Sequence, residues 1–170
     1  TEPNQASALV PIKEDMRVIE FVNKEVAALS TRITGQAPQS LPKGMGGLTH
    51  EVMEREVRDW KRFKNRRQIG SYSGLTGGVS GSGERTADLS ITKAGNRRLS
   101  CCLIECAWRM VRQQPDYWLV KKWGGVLLNP KMHARRRKQA IVAFARQLLI
   151  DIWKWKLGKA TPEALGWQMA

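Results

Sequence analysis

The sequence predicts a mainly α-helical protein, on three observations. Apolar residues recur at helical spacing through several long segments, no segment sustains a two-residue alternation, and glycine, proline and serine gather between the patterned stretches. A chain of 170 residues is long enough for one compact domain and an appendage. The pattern divides it into a helical arm over residues 1–35 and a compact helical domain over residues 36–170, interrupted by a Gly/Ser loop at 76–92.

The arm rests on Ile12, Met16, Ile19, Val22, Val26 and Leu29, one apolar stripe between Pro11 and Leu29. Lys13, Glu14, Asp15, Arg17, Glu20, Lys24 and Glu25 take the other face. Such a stripe suits a coiled-coil seam between copies, or a helix packed back on its own domain; the spacing supports either. Gly35–Gln39 reads as a linker. The stretch Ser40–Thr49, with Lys43, Gly44, Gly46 and Gly47, then opens a helix carrying Val52, Met53, Val57 and Trp60. A Gly-rich turn at a helix start aims backbone N–H groups at a phosphate, as in a helix–hairpin–helix element. Lys43, Gly44 and Gly46 are therefore candidate nucleic-acid contacts, with an ordinary turn as the alternative.

Trp60–Arg67 is a cationic run with two aromatics, and Lys64, Arg66 and Arg67 join the candidate contacts. Gln68–Leu75 predicts a short buried helix. Thr76–Ser90 follows, with Gly77, Gly78, Gly81 and Gly83 among Ser80 and Ser82. Its composition suits a flexible linker; its patterned flanks suit a functional loop on a rigid scaffold. A helix is expected from Lys93, capped by Thr92 or Asn96, with Leu99, Leu103, Ile104, Ala107, Met110 and Val111 as its apolar face and Pro115 as its stop. Trp118–Val126 reads as a mixed aromatic and basic segment broken at Gly124-Gly125. Helix resumes from Pro130 to Leu157, with Lys131, His133, Arg135, Arg136, Arg137 and Lys138 at its start. Trp108, Trp153 and Trp155 are expected to pack in helices; Trp118 and Trp123 are also placed to stack on bases.

Charge narrows the function classes. Lys and Arg number 29 against 15 Asp and Glu, a net charge of +14. Neutralising phosphates releases condensed counterions, so such an excess favours a polyanionic partner. With no long apolar span, no membrane association is expected. Cys101, Cys102 and Cys106 form no disulfide framework and fall in an apolar helical run, as free thiols in a reducing compartment do. Neither His50 nor His133 stands at ligand spacing from them, so no metal site is expected. The amino terminus lacks signal-peptide features, which predicts a cytoplasmic location, and the chain reads as the later part of a longer protein.

One set of residues goes further. Tyr72, Gly74-Leu75-Thr76, Ser82-Gly83-Glu84-Arg85, Ile91-Thr92-Lys93, Gly95-Asn96-Arg97 and Ala107-Trp108 follow each other in this order. Together with Lys138–Arg146, they resemble the carboxy-terminal domain of the insertion-sequence-110 type transposases, which include the Piv and MooV invertases. The resemblance covers roughly residues 41 to 157. Gly77 stands where the family usually has proline, and Gly81-Ser82 where it has paired serines.

The resemblance implies a DNA recombinase that breaks and rejoins element ends, is guided by a structured RNA, and works as a homo-oligomer. It implies Ser82 as the nucleophile, with Ser80 in reserve, attacking a DNA phosphodiester to form a covalent intermediate. Arg85, Lys93, Arg97 and Arg98, with Asn96, would lie beside the reacting phosphate. The family's Mg²⁺ belongs to an RNase-H-like acidic domain that this sequence does not contain; no cofactor is expected in the chain itself. Glu51, Glu54, Glu56 and Asp59 read instead as solvated partners of Arg55 and Arg58. The chain alone is expected to bind nucleic acid without completing a recombination cycle. The alternative is a non-catalytic nucleic-acid-binding module or an inactive remnant.

Overall fold

The computed structural model describes residues 4–82, 85–91 and 94–170. They form two compact units, residues 1–37 and residues 38–170. In the first, α1 (Asn4–Thr34) begins before Pro11, the start expected from the sequence, and ends in turns at Gly35, Gln36 and Ala37. Its stripe residues Ile12, Met16, Ile19, Val22, Val26 and Leu29 are all exposed.

The second unit is helical apart from one hairpin. Its elements run α2 (Gly47–Val57), a 3-10 turn (Trp60–Arg62), α3 (Arg66–Tyr72), β1 (Gly77–Ser82), β2 (Arg85–Ile91), α4 (Arg97–Gln113), α5 (Trp118–Leu127), α6 (Ala134–Lys156) and α7 (Pro162–Leu165). The core forms where α4 lies on α6, with α5 and α3 also packed on α6 and α2 on α4. Leu99, Leu103, Ala107 and Met110 meet this interior from α4, and Phe144, Leu148, Leu149 and Ile152 from α6. These are the periodic positions of each helix, spaced to share one face.

Several expectations are corrected. The Gly/Ser segment is not an irregular loop: β1 and β2 pair antiparallel, with Ser80 opposite Ala87, Ser82 opposite Arg85, and an irregularity between Gly77 and Val79. In β1 the glycines and serines carry no apolar period to read; in β2, Ala87, Leu89 and Ile91 do alternate with Thr86, Asp88 and Ser90, over too few residues to stand out. Residues 83–84, between the strands, lie outside the described residues. The helix α5 runs through Gly124 and Gly125 rather than breaking there. Two glycines weaken a helix by about 1 kcal/mol each, but Leu119, Val120 and Leu127 are buried, and packing prevails. The last long helix begins at Ala134 rather than Pro130, because the His133 ring accepts the Arg135 N–H at 3.2 Å and caps it. Likewise α3 is shifted to Arg66–Tyr72, since the Asn65 side chain accepts from the N–H groups of Arg67 and Gln68.

Buried polar side chains tie these elements together. Asp151, fully buried on α6, accepts from the Tyr117 hydroxyl and the Trp118 indole, both at 2.9 Å. Burial, then the Asp151 charge, pushes the Tyr117 phenol well above its ordinary value, so it stays a donor. Tyr117 also meets Phe144 and Trp167 edge-on, with centroids 5.7 and 5.6 Å away. Gln114 holds both ends of the unit, donating to the carbonyls of Lys43 and Gln168 and accepting the Gln168 N–H. Cys101, Cys102 and Cys106 are free thiols. Burial pushes Cys102 up to about 11 and Cys106 up to about 12, so both remain protonated packing groups.

Candidate nucleic-acid interface

The hairpin stands on a clamp built from the two flanking motifs. Gly74, at φ +71°, turns the chain out of α3, and Gly95 lies against it. A Cβ on Gly95 would overlap the Gly74 backbone, so only glycine fits. Next to this contact the Asn96 N–H donates to the Tyr72 carbonyl at 3.0 Å. The Asn96 side chain accepts the Leu99 N–H at 2.9 Å, capping α4, and donates to Glu56 at 2.6 Å. Glu56 thereby becomes a node, because the Tyr72 hydroxyl donates to its backbone carbonyl and Arg98 stands 3.8 Å from its carboxylate. The Arg62 guanidinium covers the rings of Phe63 and Tyr72 at 4.6 Å each. Thus Gly74-Leu75-Thr76 and Gly95-Asn96-Arg97, well apart in sequence, close the base of the strands that carry Ser80 and Ser82.

The predicted contacts fall into three groups. Asn96 spends both ends of its amide inside the protein, which gives it a positioning place rather than a free surface. Arg97 and Arg98 are exposed at the α4 amino end, and Lys64, Arg66 and Arg67 are exposed at that of α3. Among the described residues only Arg98 of these five meets a carboxylate. The side chains of Ser80, Ser82 and Arg85 lie outside the description, though the backbone register sets Ser82 opposite Arg85; Lys93 lies outside the described residues altogether.

The third group is the turn before α2. Gly44, at φ +90°, sits so close to α4 that a Cβ would press on the backbone of Met110. Its carbonyl accepts from Arg109 Nε at 3.0 Å, and Arg109 Nη2 reaches the Thr49 hydroxyl at 2.6 Å. The chain enters this turn from an extended segment bridged to the carboxy-terminal tail, Pro42 opposite Met169. Gly46 precedes α2 without a side-chain cap and faces open space, beside a groove of about 470 Å³ that Lys43 and Arg109 help line. Lys43 Nζ also donates to Gln168 at 3.3 Å.

The acidic residues of α2 depart from their predicted role. Glu51 does face Arg55, at 3.9 Å, but Glu54 binds Lys156 at 2.6 Å and the Trp60 indole at 2.9 Å, and Glu56 serves the clamp. Long-range packing, invisible to local helical spacing, chose these partners. Asp59 caps the 3-10 turn. Among the described residues no group of His, Cys, Asp and Glu could hold a metal ion. Trp153 donates to the Trp60 carbonyl, and the Trp118 indole N–H is held by Asp151, although Trp118 remains 39% exposed. Sequence reasoning missed Asp151, Gln114 and Arg146; Asp151 and Arg146 lie on α6 and Gln114 just past the end of α4, and the partners that give them their place are set by tertiary packing.

No helix among the described residues is long and apolar enough to cross a membrane. Comparison with known proteins is specific. Residues 39–121 match the model of the Transposase IS116/IS110/IS902 family, which spans the Gly turn, the clamp, the hairpin and α4. The chain is 37% identical over 95 residues to "Putative transposase y4rJ" of Sinorhizobium fredii, covering 56% of this chain and 24% of that protein. It is 49% identical over 66 residues to "Putative transposase y4qE" of the same organism, covering 39% of this chain and 17% of that protein. The chain therefore spans a quarter or less of the length of these relatives. No solved structure shows a significant match. Through residues 39–121 the chain belongs to the Transposase IS116/IS110/IS902 family.

Proposed function

We propose that the chain is the nucleic-acid-binding, serine-bearing part of an insertion-sequence transposase, acting on DNA in the cytoplasm. The observation that carries this reading is the clamp. Two family-like motifs, Gly74-Leu75-Thr76 and Gly95-Asn96-Arg97, meet at the base of a hairpin whose strands hold Ser80 and Ser82. A rigid base under a serine-bearing hairpin suits strand transfer, which needs the nucleophile held in line with a phosphodiester. In the proposed step the Ser82 hydroxyl attacks phosphorus, its proton passes to a base, and the 3′-oxygen of the cut strand leaves. A covalent phosphoserine linkage conserves the bond energy until the partner strand reverses the reaction. Arg97, Arg98 and Arg85 would stabilise charge on the phosphate, with Lys64, Arg66, Arg67, Lys93 and the Lys43–Gly46 turn holding neighbouring backbone.

The remaining parts of the proposal concern a longer protein. Mg²⁺ would be held by an acidic domain outside this sequence, a structured RNA would guide target choice, and the exposed stripe of α1 would pair copies of the chain. The test is covalent trapping on nicked or branched element ends, using a protein that joins this chain to its acidic domain. Ser82→Ala is expected to abolish the protein–DNA adduct; an adduct that survives in Ser82→Ala and disappears in Ser80→Ala moves the nucleophile to Ser80. An adduct in both single variants and in the double variant overturns the serine mechanism.

A further inference from the structure

A cavity of about 870 Å³ opens between the base of the hairpin and α6, and neither the clamp nor the reacting serine accounts for it. Its floor is aliphatic, made by Leu75, Ile91, Val142 and Ala143, and its rim is cationic, made by Arg135, Lys138 and Arg146. The three cations are spaced three and then eight residues apart on α6, so they share one face of the helix. Eleven residues of helix separate the first from the last, about 16 Å, longer than one nucleotide. Among the described residues no acidic side chain lines the cavity, and none of the three cations meets a carboxylate.

Arg146 is the most telling of them. Its guanidinium fills the space left by Gly70, where a Cβ would come within 3.1 Å of Nη2. Its Nε is buried with no hydrogen-bond partner among the described residues. An unpaired buried donor is costly unless a ligand supplies the acceptor. A small anion would satisfy the rim and leave the floor uncovered. A duplex would do the same, since its bases are turned inward behind the phosphates. A strand with one base out of the stack meets both surfaces, its base on the aliphatic floor and its phosphodiester oxygens on the rim.

We propose that this groove, with Arg135, Lys138 and Arg146 on its rim, is a binding site for single-stranded nucleic acid that seats one unstacked base on Leu75, Ile91 and Val142. The proposal rests on the reading of the chain as a nucleic-acid-binding part. DNA and RNA strands share this chemistry, and the floor lies at the hairpin base, so the seated nucleotide is a neighbour of the one met by the serine rather than the same one.

The experiment is fluorescence anisotropy with the full chain and one labelled sequence, offered as a DNA strand, an RNA strand and a DNA duplex. Arg135→Ala with Lys138→Ala removes two exposed rim cations without touching the core. Single-strand affinity should fall about 25-fold near 0.1 M salt, and the slope of log K against log salt should flatten by about 1.4. Val142→Phe fills the floor and keeps every charge; it should weaken single strands by roughly tenfold and leave the duplex unchanged. Lys131→Ala with Arg136→Ala, cations that do not line the cavity, should cost far less than the rim pair. Tighter binding of the RNA or of the DNA strand identifies the source of the seated nucleotide. Equal losses for the two cation pairs, or a Val142→Phe variant that binds single strands like the unaltered chain, would overturn the groove. If the unaltered chain binds none of the three probes, the nucleic-acid reading itself falls; if it binds and all variants match it, only the groove falls.

Discussion

Two charges on α6 are treated in opposite ways by the same fold. Asp151 is fully buried, and its oxygens receive the Tyr117 hydroxyl, the Trp118 indole, the Gln147 amide and, at 3.5 Å, the Lys154 ammonium. Arg146 lies little more than one turn earlier, has a buried Nε without a partner among the described residues, and borders an open cavity. The first charge is satisfied by the protein and so serves the fold. The second has a buried Nε that no described residue satisfies, which is how a ligand site differs from a structural ion site.

That contrast can be broken most easily at Asp151. Asp151→Ala leaves the buried Tyr117 hydroxyl and the part-buried Trp118 indole without their acceptor, and each unsatisfied donor of this kind costs about 1–3 kcal/mol. Urea unfolding of the chain should show this as a large fall in midpoint. Asp151→Asn keeps the shape and one acceptor and should cost about 1–3 kcal/mol. Equal midpoints for Asp151→Ala and the unaltered chain would mean the network contributes nothing, and the contrast would collapse.

The hairpin clamp comes next in size. Gly95→Ala forces a methyl group into the Gly74 backbone, and overpacking of this kind costs about 1–3 kcal/mol. Asn96→Ala removes the α4 cap and the Glu56 bond, for about 1–2 kcal/mol. Hydrogen exchange should show both losses at the amides of Leu99 and Asn96, whose bonds define the clamp. If Gly95→Ala leaves those amides as protected as before, the close approach is not what anchors the strands.

How much of this was legible in the sequence depends on the range of the interaction. Helical periodicity over Leu99–Val111 and Ile141–Ile152 located the two central helices and their buried faces, because period and burial are both local properties of one helix. The α4 cap was legible only as a choice between Thr92 and Asn96, with the helix expected from Lys93; it begins at Arg97, capped by Asn96. The hairpin was not, because glycine and serine write no alternation into β1. Glu54 was misassigned to nearby arginines, since nothing in its own helix points to Lys156 on α6, a partner 102 positions later in the chain. Arg146 was visible only as one member of the closing Lys138–Arg146 pattern; its standing at the cavity comes from Gly70, whose missing side chain leaves room for the guanidinium.

Lys156 Nζ lies 2.6 Å from the Glu54 carboxylate and 2.8 Å from His50 Nε2, and this cluster yields a smaller, pH-dependent effect. Burial, followed by the nearby Lys156 charge, lowers the His50 pKa below its ordinary 6.5, against a weaker pull from Glu54 and Glu51. His50 is then neutral in the folded chain while the unfolded chain takes up a proton below 6.5, so stability is lost as pH falls through that value toward the folded one. Glu54 adds to the loss at lower pH. Burial pushes its carboxyl up, but hydrogen bonds from Lys156 and Trp60 outweigh that and hold it below 4.5, so its contribution is present above 4.5 and disappears under acid. Thermal melts of His50→Gln should fall less between about pH 7 and about pH 5 than those of the unaltered chain. Parallel curves for the two would place the acid sensitivity elsewhere.

The smallest expected change in stability is also the sharpest test of the contrast between Asp151 and Arg146. Arg146→Met keeps a long, flexible side chain over Gly70 while removing the charge and the unpaired Nε. Arg146 is half-buried, and replacing a charge whose buried Nε has no described partner by an apolar group of similar length is neutral or stabilising, so the urea midpoint should stay within about 0.5 kcal/mol of the starting value or rise. The matching change at Asp151, to Leu, should instead cost several times more, because there the charge is the acceptor for four donors. A loss at Arg146→Met as large as that at Asp151→Leu would show that Arg146 is held by the fold after all. Its guanidinium would then be a second structural anchor on α6, and the cavity beside it would carry no preference for an anionic strand.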